Sequence, residues 1–258
     1  MSLKNINGWM IPDTDRVISK KITKFGVIEG DVFYEKKSRD FLIKKIKKKD
    51  VFVDVGANIG IWTRPMSYKF KKVVSLEPAE RNLKAFRYNV AGISNVELIE
   101  KGAGETMQED VQFHNVDGNC GGIKLAEVSK RPSGNVKERD FKADIITIDS
   151  LELEECDLIK IDVEGYELSV LKGAVETIKR CKPWLHIEKN PDNEEQCAEF
   201  ISSITNEDWS YDTIDTVRVG VDNNTIFYPQ YGSKKSKNKI KIKNKVDIVT
   251  NDLSKLIT

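Results

Sequence analysis

The amino-acid sequence predicts an α/β domain, in which a mostly parallel sheet is covered by helices on both faces and closed by an antiparallel strand pair at one edge. Two observations predict this fold. From residue 51 onward, short apolar runs alternate with longer amphipathic segments, and strands that alternate with helices build parallel sheets. The last two apolar runs follow each other without a helix between them, which is typical of a hairpin.

Each predicted element follows from the spacing of its apolar residues. Runs rich in Val, Ile and Leu that end at Gly, Pro or acidic residues predict strands over 51–55, 71–78, 95–104, 157–165 and 182–190, and a strand pair within 209–230 joined by Asp222-Asn223-Asn224. Apolar residues at intervals of three and four predict helices over 33–49, 80–92, 165–180 and 193–205. A further helix starts after Gly60, with Pro65 in its first turn.

Three segments lie outside this alternation. Residues 1–32 are mixed in character and predict an irregular lead-in, which places the main domain at 33–231. Residues 104–145 predict an excursion over the sheet, because they hold many turn-forming residues. Residues 232–258 begin with a lysine-rich stretch and predict a flexible tail, for which an RNA- or membrane-directed role stays the alternative.

The composition excludes several classes of protein. The chain has 258 residues and a formal net charge of +1, so its overall charge does not attract nucleic acid, and no nucleic-acid partner is expected. No apolar run approaches the ~20 residues that cross a bilayer, and the first residues lack the apolar core of a signal peptide. The four cysteines are far apart, which indicates reduced cysteines and a cytoplasmic protein.

The turn after the first predicted strand indicates a ligand site. Its sequence, DVGANIG over 54–60, follows an apolar strand and precedes a helix, where open parallel sheets bind ligands. Gly56 and Gly60 would let the main chain approach a ligand closely. The carboxylate of Asp54 disfavours a pyrophosphate and favours a ligand with an ammonium group, such as S-adenosylmethionine. Glu77 ends the second strand and would accept hydrogen bonds from a ribose diol, a role that also serves NAD.

Five stretches together resemble a known family. DVGANIG (54–60), LEP (76–78), TIDSL (147–151), IKIDVEGYELSVLKGA (159–174) and WLHIE (184–188) are similar to the FkbM family of class I S-adenosylmethionine-dependent methyltransferases. The similarity covers about residues 33–190. It implies a Rossmann-like, seven-stranded sheet and methyl transfer to oxygen, commonly to a sugar hydroxyl. The cofactor-binding residues that we predict are Asp54, Gly56, Ala57, Asn58, Gly60, Glu77, Pro78, Gly102, Ala103 and Asp162.

Methyl transfer to an alcohol needs a group that takes the acceptor's proton, because the alcohol is a very weak acid. Asp162 ends the fourth strand, and His186 and Glu188 end the fifth with a spacing that puts both on one face. We predict that Asp162 lies nearest the methyl site and that His186 or Glu188 accepts the proton. A buried core histidine is the alternative for His186, and helix capping is the alternative for Glu164.

A metal-assisted arrangement stays open beside the metal-free one that we favour. In it, Asp162, Glu164 and Glu188 would be oxygen ligands of Mg²⁺. The loop over 115–122 is predicted to close over cofactor and acceptor. The expected partner is a small-molecule or glycan acceptor.

Two other functions compete with methyl transfer. An NAD-dependent oxidoreductase needs a phosphate-tolerant glycine turn, which Asp54 opposes. A non-catalytic Rossmann-like binding module would use the lysine-rich tail to bind an anionic polymer and would lack the acids that end the fourth and fifth strands.

Overall fold

The computed structural model describes residues 2–129, 140–216 and 224–231. Its strands are, in chain order, β1 (Leu3–Ile6), β2 (Trp9–Pro12), β3 (Val27–Ile28), β4 (Asp31–Val32), β5 (Val51–Val55), β6 (Lys72–Leu76), β7 (Val96–Ile99), β8 (Gly102–Ala103), β9 (Gln108–Val116), β10 (Asn119–Leu125), β11 (Phe141–Ile146), β12 (Leu158–Ile161), β13 (Trp184–Glu188), β14 (Trp209–Asp215) and β15 (Asn224–Tyr231). Its helices are α1 (Val17–Phe25), α2 (Lys36–Lys45), α3 (Thr63–Ser67), α4 (Glu80–Asn89), α5 (Glu167–Lys172), α6 (Val175–Cys181) and α7 (Glu194–Ser203), with a 3₁₀ turn over Asp149–Leu151.

The central sheet has seven strands in the order β14-β15-β13-β12-β5-β6-β7. Neighbouring strands from β7 to β13 run parallel, whereas β15 is antiparallel to both β13 and β14. This confirms the predicted Rossmann-like, mostly parallel sheet with an antiparallel pair at one edge. The chain moves outward from β5 to β7 and then returns to the other side of β5 with β12, so the carboxyl ends of β5 and β12 flank a crevice.

Apolar side chains fill both faces of this sheet. Alternation along β5 sends Val53 and Val55 to the face covered by α5, α6 and α7, and sends Phe52 to the opposite face. That opposite face is covered by the N-terminal elements together with α2 and α3. The helices predicted over 33–49, 80–92 and 193–205 correspond to α2, α4 and α7, and each is shorter than its predicted range.

The N-terminal segment differs from its prediction. Instead of an irregular lead-in over residues 1–32, the structure has the β1–β2 hairpin, α1 and the short β3–β4 pair. Trp9 and Ile11, two apart on β2, and Ile18 and Ile22, four apart on α1, place their side chains in the core. These are the spacings of a strand and a helix with one buried face. The folded domain therefore includes this segment and does not begin at residue 33.

Residues 104–145 depart from the strand–helix alternation, as predicted, but they contain a second sheet. Its four strands lie in the order β10-β9-β11-β8, with β11 parallel to β8 and the other neighbours antiparallel. The predicted loop over 115–122 is the turn and the flanking strand residues of the β9–β10 hairpin. Residues 130–139 of the excursion lie outside the described residues.

The helix predicted over 165–180 is interrupted at Gly173, which separates α5 from α6. The carboxylate of Asp149 accepts hydrogen bonds from the N–H groups of Glu176 (3.0 Å) and Thr177 (2.7 Å), so it caps the beginning of α6. A Cβ at Gly173 would lie 1.9 Å from the carbonyl oxygen of Gly104. The main chain of the small sheet therefore packs closely against this break, and a capped second helix replaces one continuous helix.

Two predicted features cannot be compared with the structure. The lysine-rich tail over 232–258 and residues 222–223 of the predicted turn lie outside the described residues. Within the described ranges, no helix combines the length and the apolar character that spanning a bilayer requires.

Candidate active site

The carboxyl ends of β5, β6, β12 and β13 surround a cavity at the crevice where the strand order reverses. The N-terminal segment and the β9–β10 hairpin complete its wall. Three predicted site residues, Asp54, Gly60 and His186, are not among its lining residues. Those that do line it are Gly56, Ala57, Asn58, Glu77, Pro78, Gly102, Ala103, Asp162, Glu164 and Glu188.

The N–H groups of the glycine turn are already bound to protein acceptors. Gly56 and Ala57 both donate to the carbonyl oxygen of Leu76, each at 3.0 Å. Asn58 donates to Glu77 Oε2 at 2.9 Å, and Gly60 donates to the carbonyl oxygen of Ala57 at 2.9 Å. A pyrophosphate needs such N–H groups pointing at it, so this turn is a poor cradle for a dinucleotide.

The two glycines of the turn are required by contacts within the protein. Gly56 has a φ of +75°, and a Cβ there would lie 2.0 Å from the carbonyl oxygen of Asp162. Gly60 has a φ of +89°, and a Cβ there would lie 3.3 Å from side-chain atoms of Phe86 and Val90. The sequence suggested that these glycines allow close approach to a ligand. In the structure, Gly56 instead allows close approach of the end of β12, and Gly60 allows packing against α4 and the residue that follows α4.

Glu77 faces the cavity from the end of β6 and is held by three donors. The N–H of Asn58 binds Oε2 at 2.9 Å, and the N–H of Ala79 and the side-chain amide of Asn82 bind Oε1 at 2.9 and 3.2 Å. Burial raises the pKa of Glu77 to about 7, although these hydrogen bonds favour the ionised form. The carboxyl group is thus fixed in position at the cavity wall, and its contact with a ribose stays a prediction.

Asp54 lies beneath the cavity, contrary to the predicted contact with a ligand's ammonium group. Its side chain is fully buried, and Oδ2 accepts a hydrogen bond from Thr63 at 2.7 Å. Lys160 Nζ lies 3.5 Å from Oδ1. Burial raises the pKa of Asp54, and Lys160 opposes that effect. The reason is its place on the strand, because Asp54 precedes the edge of the sheet by two residues and points into the covered face.

Lys160 is a buried cation at the centre of the site. Its ammonium group donates to the carbonyl oxygen of Gly56 at 2.9 Å and lies 3.3 Å from Asp162 Oδ2, in addition to its contact with Asp54. Burial opposes its charge, but Asp162 and Asp54 together raise the pKa of Lys160 above its ordinary value. Lys160 therefore links the glycine turn, the acid beneath the cavity and the acid in its wall.

Three carboxyl groups meet at the far side of the cavity. Oxygens of Asp162, Glu164 and Glu188 all lie within 4.8 Å of one another. Burial works to raise the pKa of Asp162, but the charge of Lys160 and the hydrogen bonds from Glu188 and Lys160 together hold that pKa below its ordinary value. Burial, and then the charges of Asp162 and Glu164, raise the pKa of Glu188. At neutral pH the arrangement favours an ionised Asp162 that accepts a hydrogen bond from a protonated Glu188.

The same three carboxyl groups could supply oxygen ligands to Mg²⁺. Two of them already face lysines, since Lys160 lies 3.3 Å from Asp162 and Lys124 lies 3.7 Å from Glu164. The lysine side chains of the protein therefore already place positive charge beside these three carboxyl groups.

His186 is a core histidine, which corrects the prediction that it reaches the acceptor. It is 2% exposed, and its ring packs against that of Trp62 with the centroids 4.5 Å apart. Neither ring nitrogen has a hydrogen-bond partner among the described residues. Burial, followed by the charge of Lys160, lowers the pKa of His186 to about 3, so the ring is neutral. His186 shares a face with Glu188, as predicted, but it lies one step further from the sheet edge.

The N-terminal segment supplies a wall of the cavity that the sequence did not reveal. Lys21, Tyr34 and Glu35 line the cavity beside the acids of β12 and β13. Lys21 donates to the Tyr34 hydroxyl at 2.5 Å, and Trp62 donates to Glu35 Oε2 at 2.7 Å. No motif marks these residues. Their one local signal, a glutamate immediately before an amphipathic helix, is common on protein surfaces.

The β9–β10 hairpin forms part of the cavity wall, whereas closure of residues 115–122 over cofactor and acceptor stays a prediction. Cys120 and Gly121 line the cavity. The carbonyl oxygen of Gly118 accepts hydrogen bonds from the N–H groups of Arg16 (2.8 Å) and Val17 (3.3 Å). The N–H of Cys120 donates to Asp15 Oδ2 at 2.8 Å. The β9–β10 hairpin is therefore bound to the beginning of α1, and the two form one continuous wall.

Comparisons with known proteins find similarity to methyltransferases. A sequence profile described as the methyltransferase FkbM domain matches residues 54–219. The curated protein "Methyltransferase sdnD" of Sordaria araneosa is 27% identical over 197 residues, which are 64% of this chain and 75% of that protein. Among solved structures, methyltransferase FkbM from Methylobacillus flagellatus KT is 24% identical with a TM-score of 0.49, over 70% of this chain and 44% of that one. This chain therefore spans less than half the length of that protein. An rRNA methylase from Streptococcus thermophilus is 14% identical with a TM-score of 0.45, over 76% of this chain and 95% of that one.

Proposed function

The chain belongs to the FkbM methyltransferase family, and from that premise we propose that it is an S-adenosylmethionine-dependent O-methyltransferase that acts on a hydroxyl of a sugar or of a glycosylated compound. One observation carries the choice of cofactor. The cavity is lined by carboxyl groups and lacks an N–H cradle at the glycine turn. The acids at or directly after the strand ends that line it are Glu77, Asp162, Glu164 and Glu188.

This wall suits S-adenosylmethionine better than a dinucleotide. The sulfonium and ammonium groups are cations, and a ribose diol donates hydrogen bonds, so carboxylates favour all three. A diphosphate would meet like charges and find the N–H groups of Gly56, Ala57 and Asn58 already bound to protein oxygens. In the proposed site, Glu77 binds the ribose, and the turn over 56–58, Pro78, Gly102 and Ala103 form the surrounding wall. Asp54 acts from beneath through Lys160.

The protein has carboxyl groups that can accept the proton that methyl transfer releases. The bound cofactor supplies an activated methyl group, whose carbon–sulfur bond breaks as the new carbon–oxygen bond forms. Asp162 is the ionised acid of the pair, so it accepts the hydrogen bond of the acceptor hydroxyl and then its proton. Glu188, which is already protonated, donates a hydrogen bond to Asp162, so both carboxyl groups of the pair carry a proton after the transfer. His186 takes no part, because it does not line the cavity.

We propose the metal-free version of this step. The ammonium group of Lys160, 3.3 Å from Asp162, provides positive charge beside the acid where the magnesium alternative would place a cation. Lys160 is a positioning residue in this view, since it contacts the glycine turn and the acid without reaching the acceptor.

Neither competing function gains support. An oxidoreductase would need the phosphate cradle, and a binding module would lack the acids that end β12 and β13, yet both acids line the cavity. We also keep the proposal of a cytoplasmic location, which rests on the widely separated cysteines in the sequence.

Calorimetric titration with S-adenosylmethionine, S-adenosylhomocysteine and NAD tests the cofactor. We expect the two adenosyl compounds to bind and NAD not to bind, and binding of NAD alone would overturn the assignment. Incubation with a labelled methyl donor and a panel of glycosides and cell glycans tests the acceptor. Label that appears only on amines or proteins would overturn the hydroxyl acceptor while leaving the cofactor intact.

A further inference from the structure

The cavity wall that precedes the family-matched region has its own chemistry. Residues 17–35 supply five lining residues, whereas the matched region begins at residue 54. Lys21, Tyr34 and Glu35 are the polar members, and Val17 and Ile18 are the apolar ones. This wall adjoins Asp162 and Glu188, since all of these residues line the same cavity.

We propose that Tyr34 and Glu35 form an acceptor-binding subsite that takes an uncharged polyhydroxylated compound and rejects an anionic one. The proposal rests on the proposed function and specifies its acceptor. The reacting hydroxyl binds next to Asp162, and a neighbouring hydroxyl donates to Glu35.

The backbone holds Glu35 toward the cavity in an unusual conformation. Its φ of 58° and ψ of 9° lie in the left-handed region, which is unfavourable for a non-glycine residue. Arg39, with its side chain 1% exposed, fixes the preceding residues. Its guanidinium donates to the carbonyl oxygens of Val32 (2.5 Å) and Tyr34 (3.0 Å) and to Asp31 (2.7 Å). A buried cation thus holds this turn in place.

The side chains of the subsite leave acceptor capacity on Glu35. Lys21 donates to the Tyr34 oxygen and also lies over the ring, 4.0 Å from its centroid. Burial, followed by the charge of Glu35, raises the pKa of Tyr34, so the hydroxyl keeps its proton and can donate to Glu35. Trp62 supplies the other donor to Glu35. A carboxylate has about four lone-pair positions, so two remain for hydroxyl groups of an acceptor.

The charges around the subsite exclude anions. Glu35 faces the same space as the ionised Asp162, and the lysine of the wall, Lys21, is bound to Tyr34. A carboxylate or phosphate on the acceptor beside its reacting hydroxyl would meet like charges at short range. A neutral diol would find acceptors on both sides.

Binding measurements on the S-adenosylhomocysteine-saturated enzyme test the subsite without turnover. The probes are methyl glucoside and methyl galactoside, each against the corresponding methyl uronide. We expect the wild type to bind the neutral glycosides more tightly. The Glu35→Gln variant should bind them about 10- to 150-fold more weakly, because hydrogen bonds to a charged group are lost or weakened. The ratio between its affinities for the neutral glycosides and for the uronides should decrease. Its affinity for S-adenosylhomocysteine should stay within about twofold of the wild type.

Glu29→Gln is the matched control. Glu29 also has a left-handed backbone, with φ 53°, but it is exposed and does not line the cavity. We expect it to bind all four probes as the wild type does. Tyr34→Phe provides a second variant, which should weaken glycoside binding without changing the preference against uronides.

Several outcomes would overturn the proposal. Equal affinity of wild type and Glu35→Gln for the neutral glycosides would remove Glu35 from the subsite, and tighter binding of uronides by the wild type would reverse the assigned charge preference. Failure of all four probes to bind while S-adenosylhomocysteine binds would overturn the acceptor class alone. Failure of S-adenosylhomocysteine to bind would instead refute the proposed function.

Discussion

Replacing Lys160 by methionine tests whether the buried ion pair holds the site together. Methionine has a similar length and no charge, so Lys160→Met leaves the carboxylate of Asp54 fully buried with one hydrogen bond, from Thr63. Removing one partner of a buried ion pair destabilises a protein by about 3–5 kcal/mol. Asp162, the other partner, is one-third exposed and can regain water. The expected loss therefore comes chiefly from Asp54.

Urea denaturation followed by tryptophan fluorescence measures this loss. We expect the free energy of unfolding to fall by about 3–5 kcal/mol near neutral pH, a large share of the 5–15 kcal/mol typical of a domain. The loss should shrink as the pH falls. In the variant the folded-state pKa of Asp54 lies further above its unfolded-state value, so its stability is greatest at low pH and decreases as the pH rises through the folded-state pKa.

Two further variants separate charge from packing. Lys172→Met removes an exposed lysine that lies 3.1 Å from Glu105, and we expect little change because such pairs contribute little. The double variant Asp54→Asn with Lys160→Met removes the uncompensated charge and should recover part of the loss. A Lys160→Met protein within about 1 kcal/mol of the wild type, or a double variant no more stable than Lys160→Met, would refute the reasoning.

Three other predictions concern the cavity wall. Asp162→Asn should reduce methyl transfer at least about 100-fold, as expected for loss of a general base, with the calorimetric affinity for S-adenosylmethionine largely kept; unchanged turnover would remove Asp162 from its assigned role. Glu77→Gln should alter the pH dependence of stability. The pKa of Glu77 rises from 4.5 to about 7 on folding, so wild-type stability is full below pH 4.5 and decreases as the pH rises through 7. Chemical denaturation at pH 4 and pH 8 should therefore show the wild type losing about 3 kcal/mol relative to Glu77→Gln, and parallel profiles would contradict the raised pKa. Gly56→Ala should lower the thermal midpoint and weaken cofactor binding, because its Cβ would meet the carbonyl oxygen of Asp162 at 2.0 Å. Gly92→Ala is its control, since Gly92 has a φ of +79° but no atom close to the position of an added Cβ. An equal fall in the thermal midpoint of both variants would show that the dihedral angle alone, and not the contact with Asp162, causes the destabilisation.

The sequence predicted the central sheet because its strands carry a strong local signal. The apolar runs over 51–55, 157–165 and 182–190 each correspond to an observed strand of the sheet. Because parallel strands end at a common edge, the acids Asp162 and Glu188 could be placed together, and the structure brings them together. Predicting this part of the site requires only the local sequence pattern of the strands and the topology of the sheet.

The sequence did not predict how far each side chain of a strand lies from the carboxyl edge of the sheet. Alternation correctly put His186 on the face of Glu188, yet it does not say which of the two reaches the edge. Across the sheet, Asp54 and His186 lie in register on either side of Lys160, and only Lys160 of the three lines the cavity. The polar character of Asp54 and His186 suggested contact with a ligand, whereas their position on the strands puts them beneath the cavity.

The N-terminal wall could not be predicted, because long-range contacts establish it. β1 and β2 have only four residues each, too few for a clear periodic pattern. The turn that carries Glu35 is fixed by Arg39, whose bonds to Val32 and Tyr34 involve the main chain and leave no trace in the residue types.

The boundaries of sequence similarity and of the folding unit differ in this protein. The matched region begins at residue 54, but Trp9, Ile18 and Ile22, which precede it, belong to the same apolar cluster as Ile59, Trp62 and Met66. A truncated chain that starts at residue 54 would present this apolar face to water, and exposed patches of that kind promote aggregation. Expression of the shared region alone would thus yield an insoluble product for reasons unrelated to its catalytic residues.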